Sequence, residues 1–273
     1  MLAVSFNPGI PEFYLHVIHG NGAGSLIEKS HIALPSFSGT YPDLAVADFN
    51  GDKIPDVLVS NPANGTISVI LGNSTGIPTK EDSSVTGSMA PGPLAVGDFD
   101  GDGAIDFAVS GIDGIAIAKG DGKGMFASAT STGTMTSRAG LATADINQDN
   151  KLDLVYAVRN LALVGFRYGQ GDLTFKQEIQ LSVSSALPEV IRLADLDADG
   201  YMDALVTFDE TGYDRISIFY GSQNTTYSLV DLFATGARPR DAVIADFNKD
   251  GLLDFALLQY DNNSIGVFTA QCK

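Results

Sequence analysis

The chain has 273 residues, 44% of them hydrophobic, with 30 glycines, no tryptophan and a single cysteine. Its formal net charge is −17, from 33 acids against 16 bases, a balance that nucleic acid and anionic membranes both repel. No apolar run reaches the roughly 18 residues of a membrane-spanning helix, so no membrane insertion is expected, and the lone Cys272, expected as an incidental exposed thiol, excludes an internal disulfide framework.

Along the chain, the opening MLAVSFNPGIPEFYLHVIHG lacks the basic region and continuous apolar core of a secretory signal. It aligns instead with DALVTFDETGYDRISIFYG, residues 203–221, which places Met1 near the end of a loop that precedes it in the other copies. Next comes DFNGDKIPD from Asp48, followed by DFDGDGAID from Asp98, DINQDNKLD from Asp145, DLDADGYMD from Asp195 and DFNKDGLLD from Asp246. Each nonapeptide keeps Asp at position 1, Asp or Asn at 3, Asp at 5 and Asp at 9, and the copies recur about every 50 residues. LAVAD and LAVGD lead in, DVLVS and DFAVS lead out, and these short apolar segments read as strands on either side of the loop. After each unit a glycine is followed six residues later by an apolar or ring residue: Gly20 and Leu26, Gly72 and Pro78, Gly120 and Phe126, Gly169 and Phe175, Gly221 and Tyr227. The turn-rich strings between them predict a hairpin, giving four short strands per unit. That is the pattern of a β-propeller blade. The expected fold is therefore all-β, a propeller of about six four-stranded blades forming one domain over residues 1–273. Its repeats span 1–40 (partial), 41–90, 91–137, 138–187, 188–238 and 239–273 (partial). The incomplete first and last repeats leave open a seven-bladed propeller of which this chain is part.

The acids concentrate in these loops. They hold 17 of the 33, leaving 16 acids against 16 bases elsewhere, so the whole net charge resides in the repeats. Carboxylates at alternate positions suit a hard cation. Ca²⁺ takes about six to eight oxygens in flexible geometry, whereas Mg²⁺ demands a stricter octahedron. The candidate ligands are the side chains of Asp48, Asn50, Asp52 and Asp56; Asp98, Asp100, Asp102 and Asp106; Asp145, Asn147, Asp149 and Asp153; Asp195, Asp197, Asp199 and Asp203; and Asp246, Asn248, Asp250 and Asp254. Position 7, occupied by Ile54, Ala104, Lys151, Tyr201 and Leu252, is expected to offer a main-chain carbonyl, which leaves its side chain free to vary. Up to five Ca²⁺ ions are thus expected. An EF-hand is excluded, because its bidentate Glu at position 12 is replaced here by Val59, Val109, Tyr156, Val206 and Leu257. Position 6 is expected to be left-handed, a conformation Gly adopts freely and Lys53 resists.

The D-x-[DN]-x-D-x-x-x-D loops, their ADFN-like lead-in and the later glycine hairpin resemble the FG-GAP and VCBS repeats of integrin α-subunit propellers, fungal lectins and bacterial secreted proteins. The resemblance covers almost the whole chain, and the absence of a GAP tripeptide brings it closer to the bacterial type. It implies calcium in the loop between the first and second strands of each blade, with the loops together on one face.

For function, the first expectation is a calcium-stabilised extracellular or cell-surface module that binds a glycan or protein through the opposite face. Tyr41, Arg138, Arg159, Tyr213, Arg238, Arg240 and Tyr260 are placed there as candidate contacts, Arg and Tyr being frequent interface anchors. Alternatives are a propeller polysaccharide lyase-like enzyme and a structural spacer of a larger surface protein. Sequence support for the enzyme is thin: His16 and His19 point to opposite faces of a strand, His31 stands alone, and no Ser-His-Asp grouping or G-x-S-x-G elbow is present.

Overall fold

The computed structural model describes residues 2–6, 13–20, 23, 25–34, 42–75, 79–86, 90–133, 139–183, 187–223, 225–233 and 238–270. Among them are six antiparallel sheets, in each of which every strand pairs with the next in sequence. The first contains Leu2–Phe6, Phe13–Gly20 and Leu26–Leu34, and the second Leu44–Ala47, Asp56–Asn61, Thr66–Leu71 and Thr79–Thr86. The third contains Leu94–Gly97, Asp106–Gly111, Gly114–Ala118 and Thr130–Ser131; the fourth Leu141–Ala144, Asp153–Val158, Leu163–Gly169 and Phe175–Ser182. The fifth is Pro188–Ala194, Asp203–Phe208, Arg215–Tyr220 and Ser228–Phe233, and the sixth Pro239–Ala245, Asp254–Gln259 and Ser264–Phe268. Two 3₁₀ turns, Arg159–Leu161 and Tyr260–Asn262, are the helical structure among the described residues. The fold is all-β and built from propeller blades. Five of the sheets open with strand, aspartate loop, strand.

The second strand of a sheet explains its apolar sequence. Every residue of Asp56–Asn61, Asp106–Gly111, Asp153–Val158 and Asp203–Phe208 is buried, so these strands are covered on both faces and carry no polar alternation. The chain forms two compact units, Met1–Asp98 with Asp102–Thr134, and Phe99–Gly101 with Met135–Lys273. In the first unit, Leu15 of the first sheet packs against Val57, Val59 and Ile70 of the second, while Leu58, Ile67 and Val69 of the second meet Phe107 and Val109 of the third. In the second unit, Val155, Val164 and Phe166 of the fourth sheet meet Val206, Phe208 and Phe219 of the fifth. Leu205, Ile216 and Ile218 of the fifth in turn meet Ala242 and Leu257 of the sixth.

The hairpin glycines keep this register. A Cβ on Gly72, Gly120, Gly169 or Gly221 would collide with the backbone carbonyl at loop position 8, supplied by Pro55, Ile105, Leu152 and Met202. Three and five residues before the hairpin glycine lie apolar side chains. Leu15 and Val17, Ile67 and Val69, Ile115 and Ile117, Val164 and Phe166, and Ile216 and Ile218 are all at most 9% exposed. In the sixth sheet, where Ala270 takes the glycine's place, the equivalent Ile265 and Val267 are 71% and 56% exposed. Position within the repeat, rather than residue type, therefore sets the expected cost of a polar substitution. Ile216→Lys should destabilise by about 3 kcal/mol or more, through an unpaired buried charge. Ile265→Lys should stay within about 0.5 kcal/mol. Urea unfolding of both variants checks this, and equal losses would contradict it.

Candidate functional site

All five aspartate loops join the first strand of a sheet to its second, and all five are wired alike. The position 1 carboxylate accepts the N–H of position 6 through Oδ2 at 2.7–2.9 Å, from Lys53, Gly103, Asn150, Gly200 and Gly251. Its Oδ1 accepts the N–H of position 5 at 3.0–3.1 Å. Position 5 passes the pattern on: Oδ1 of Asp52, Asp102, Asp149, Asp199 and Asp250 accepts the N–H of Ile54, Ala104, Lys151, Tyr201 and Leu252 at 2.8–3.1 Å. Asn50, Asn147, Asp197 and Asn248 at position 3 accept the position 5 N–H as well.

This wiring bends the backbone through the left-handed region twice per loop. Position 6 is left-handed as expected, and Lys53 adopts it at φ 67° because the Asp48 carboxylate captures its N–H. The expected resistance of Lys53 is overcome by that bond. Position 4 is left-handed too, at Gly51, Gly101, Gln148, Ala198 and Lys249, which the sequence did not reveal because only two of the five are glycine.

Position 9 is the deepest group. Asp56, Asp106, Asp153, Asp203 and Asp254 are fully buried. Oδ2 of Asp56, Asp153, Asp203 and Asp254 accepts the N–H of position 2 in the same loop at 2.7–2.9 Å. Oδ1 of all five accepts the N–H of Gly72, Gly120, Gly169, Gly221 or Ala270 at the following hairpin, at 2.7–2.9 Å. Burial pushes the carboxyls of Asp153 and Asp203 up to about 6, with neighbouring loop aspartates adding to the rise and the two N–H groups opposing it. Burial raises Asp56 in the same way.

Positions 1, 3 and 9 converge. Carboxylate oxygens of Asp98, Asp100 and Asp106 lie within 4.8 Å of one another, as do those of Asp195, Asp197 and Asp203. These are hard oxygen donors crowded together, and they fit a divalent cation of the calcium type. Asp102 and Asp199 stand outside these two groups, and Asp102 Oδ2 instead lies 2.8 Å from Lys119 Nζ. In the other three loops position 3 is Asn50, Asn147 or Asn248, which offers a neutral oxygen. With a chelator present, Asp203→Asn should cost about 2–4 kcal/mol in urea unfolding, since the amide NH₂ would face a backbone donor where an oxygen stood. Asp197→Asn, which copies three natural loops and relieves repulsion from Asp199, should change stability by less than about 1 kcal/mol. A reversed ranking would refute the bracing role of position 9.

At the other end of the strands, in the second unit, the described candidate contacts come together around a residue the sequence did not single out. Asp209 Oδ1 accepts from Arg238 Nε at 2.7 Å and lies 3.2 Å from Arg240 Nε, while its Oδ2 accepts from Arg159 Nη2 at 3.3 Å. Arg159 also donates to Glu189, and Arg238 Nη1 lies 3.5 Å from Asp261. The guanidinium carbons of Arg238 and Arg240 sit 4.8 and 5.1 Å from the centroid of the Tyr260 ring. Tyr213 participates through its backbone carbonyl, which accepts the Arg238 N–H at 2.6 Å, while its ring packs edge-on against Phe208. Tyr41, Arg138 and Cys272 lie outside the described residues, as does the side chain of His19. His31 does not stand alone: it pairs with His16 across neighbouring strands, ring centroids 5.7 Å apart.

Burial would raise the Asp209 carboxyl, but the hydrogen bond from Arg238, the charges of Arg240 and Arg238 and the hydrogen bond from Arg159 hold it below the usual carboxylate range. Its contribution to stability is thus complete above the ordinary carboxylate pKa of about 3.9 and is lost as pH falls through the lower folded value. Asp209→Asn should cost about 2 kcal/mol at neutral pH, and wild type and variant should converge at strongly acidic pH. A pH-independent difference in their denaturation midpoints would contradict this.

The FG-GAP-like repeat family model matches residues 48–109, 98–156, 145–206 and 195–257. The chain belongs to that family of repeats. Among curated proteins none matches it. Solved structures share the fold. A 6-phosphogluconolactonase-like protein from Bacteroides uniformis aligns with TM-score 0.71 at 20% identity, over 99% of this chain and 77% of that one. A Lactobacillus plantarum protein gives 0.67 at 14% identity, over 98% and 80%. An Agrocybe aegerita lectin that recognises non-reducing terminal N-acetylglucosamine gives 0.54 at 16% identity, over 86% and 67%.

Proposed function

We propose that the chain is a calcium-braced extracellular or cell-surface binding module that recognises a glycan or protein ligand through the rim centred on Asp209. One observation carries this reading: three arginines and a tyrosine from the fourth and sixth sheets gather around Asp209 of the fifth on one partly exposed patch, at the strand ends opposite the aspartate loops. Arg159, Asp209 and Tyr260 lie just after second strands, and Arg238 and Arg240 at the start of a first strand. Guanidinium groups prepositioned by Asp209 lose little freedom on binding, and an aromatic face between them suits a sugar or a planar side chain. The lectin among the structural neighbours carries the same fold and is compatible with a glycan ligand. On this reading the repeats make a propeller of about six blades, or part of one of seven.

Calcium supplies positive charge and oxygen coordination in the loops. Asp, Asn and main-chain oxygens of the five loops would hold it, Asp98 and Asp195 with their four-aspartate loops most tightly and the Asp48 loop least. Five such ions, each of charge +2, would bring the net charge from −17 to −7. At 100 times its dissociation constant each site adds about 2.7 kcal/mol of stability. Chelation with EGTA should therefore lower the melting temperature sharply, and Ca²⁺ should restore it better than equimolar Mg²⁺. A melting curve unchanged by verified metal removal would overturn the bracing role.

For the ligand, the calcium-loaded chain applied to a glycan array should show selective binding that Arg240→Ala and Tyr260→Ala abolish while leaving the melting temperature within a few degrees. Binding untouched by both variants would move the ligand site elsewhere. Absence of binding to any glycan would leave a protein ligand for this rim only if the same variants disrupt attachment to a protein-coated surface. Failure of both assays would favour the spacer role.

A further inference from the structure

In the first sheet, two imidazoles face each other across neighbouring strands. His16 on Phe13–Gly20 is the register partner of His31 on Leu26–Leu34, so both side chains leave the same face of the sheet. Their ring centroids are 5.7 Å apart, and the Tyr14 ring stands edge-on to His31 at 5.4 Å. An ion about 2.0–2.1 Å from an imidazole nitrogen lies about 3.2 Å from the ring centroid. Two rings that share one ion therefore keep their centroids within about 6.4 Å, a limit this pair meets without moving.

The repeat does not call for the pair. His16 lies four residues before the hairpin glycine Gly20. The same place in the other five sheets holds Ser68, Ala116, Gly165, Ser217 and Gly266, all small. Opposite those small residues stand Ser131, Gln180 and Asp231 where His31 stands here. His16 breaks a rule that the other five sheets keep, and its partner in register is a second imidazole. His31 is exposed and His16 half-buried, so an ion can reach them from solvent.

We propose that His16 and His31 form a two-imidazole site for a late first-row divalent ion, Zn²⁺, Cu²⁺ or Ni²⁺, completed by water. Nitrogen donors suit these metals and not calcium. The site is thus chemically distinct from the oxygen-only aspartate loops and can be loaded while those are filled with Ca²⁺.

The repeat itself supplies substitutions compatible with the fold: His16→Ser, as at Ser68 and Ser217, and His31→Gln, as at Gln180. The full chain, held in saturating calcium, is titrated with Zn²⁺ by calorimetry, and Cu²⁺ broadening of the histidine ring protons is followed by NMR. The expected result is one Zn²⁺ per chain that excess calcium does not displace, at least about tenfold weaker in either variant. Cu²⁺ at substoichiometric amounts should broaden the His16 and His31 resonances before that of His19. The melting temperature of the variants without zinc should match wild type. Zinc affinity unchanged in both variants, no zinc binding, or zinc binding that calcium abolishes would each overturn the proposal. Should a variant prove unstable, broadening of His19 equal to that of the pair in wild type would overturn it as well.

Discussion

The carboxylate at position 9 of each aspartate loop is the group on which the repeat is built. It is buried between two turns, taking the N–H of the hairpin residue 14–18 places further on with one oxygen and, at Asp56, Asp153, Asp203 and Asp254, that of loop position 2 on the other. One side chain thereby fixes where the first strand ends, where the third strand ends and how far apart they stand. At Gly72, Gly120, Gly169 and Gly221 the α-carbon so held lies against the carbonyl at position 8, which leaves no room for a Cβ. The cost is a buried negative charge beside two or three others, visible in the raised carboxyls of Asp153 and Asp203. The calcium proposed at the convergence of positions 1, 3 and 9 would resolve that conflict.

The blade unit was legible because its determinants are local. Asp at fixed spacing, glycine at the hairpin and short apolar runs each act within about 20 residues, and the structure places every loop between the predicted first and second strands. The left-handed turn at position 4 was hidden because hydrogen bonds, not glycine, enforce it at Gln148, Ala198 and Lys249. The rim was half legible. Arg159, Arg238, Arg240 and Tyr260 stood out by residue type, but Asp209 lies 29 and 50 residues from Arg238 and Arg159, and a single aspartate after a strand carries no mark of such partners. His31 was misread as isolated because its register with His16 runs through a hairpin with a bulge at Val17 and Ile18, which spacing alone does not reveal.

The two ends of the sheets answer to different constraints. At the aspartate end, nine residues follow one hydrogen-bond scheme in all five copies. At the other end, the connections between second and third strands run from Ile112–Asp113 in the third sheet to the six residues 209–214 in the fifth. The Asp209 network then does there, with side chains from three sheets, what the position 9 carboxylate does within one.

The short span of these bonds also bears on how the chain reaches its fold. The hydrogen bonds internal to an aspartate loop close between residues at most seven apart, so a loop can begin to form before any sheet has met its neighbour. Closing so short a segment takes well under a microsecond, whereas docking sheet on sheet must bring together residues some 50 apart and pay the larger loop-closure entropy. Five equivalent nuclei along one chain mean that folding has no obligatory starting point and can spread from whichever loop closes first, as in other repeat proteins. A substitution in one loop would then shift the order in which sheets assemble while leaving the overall folding rate largely intact.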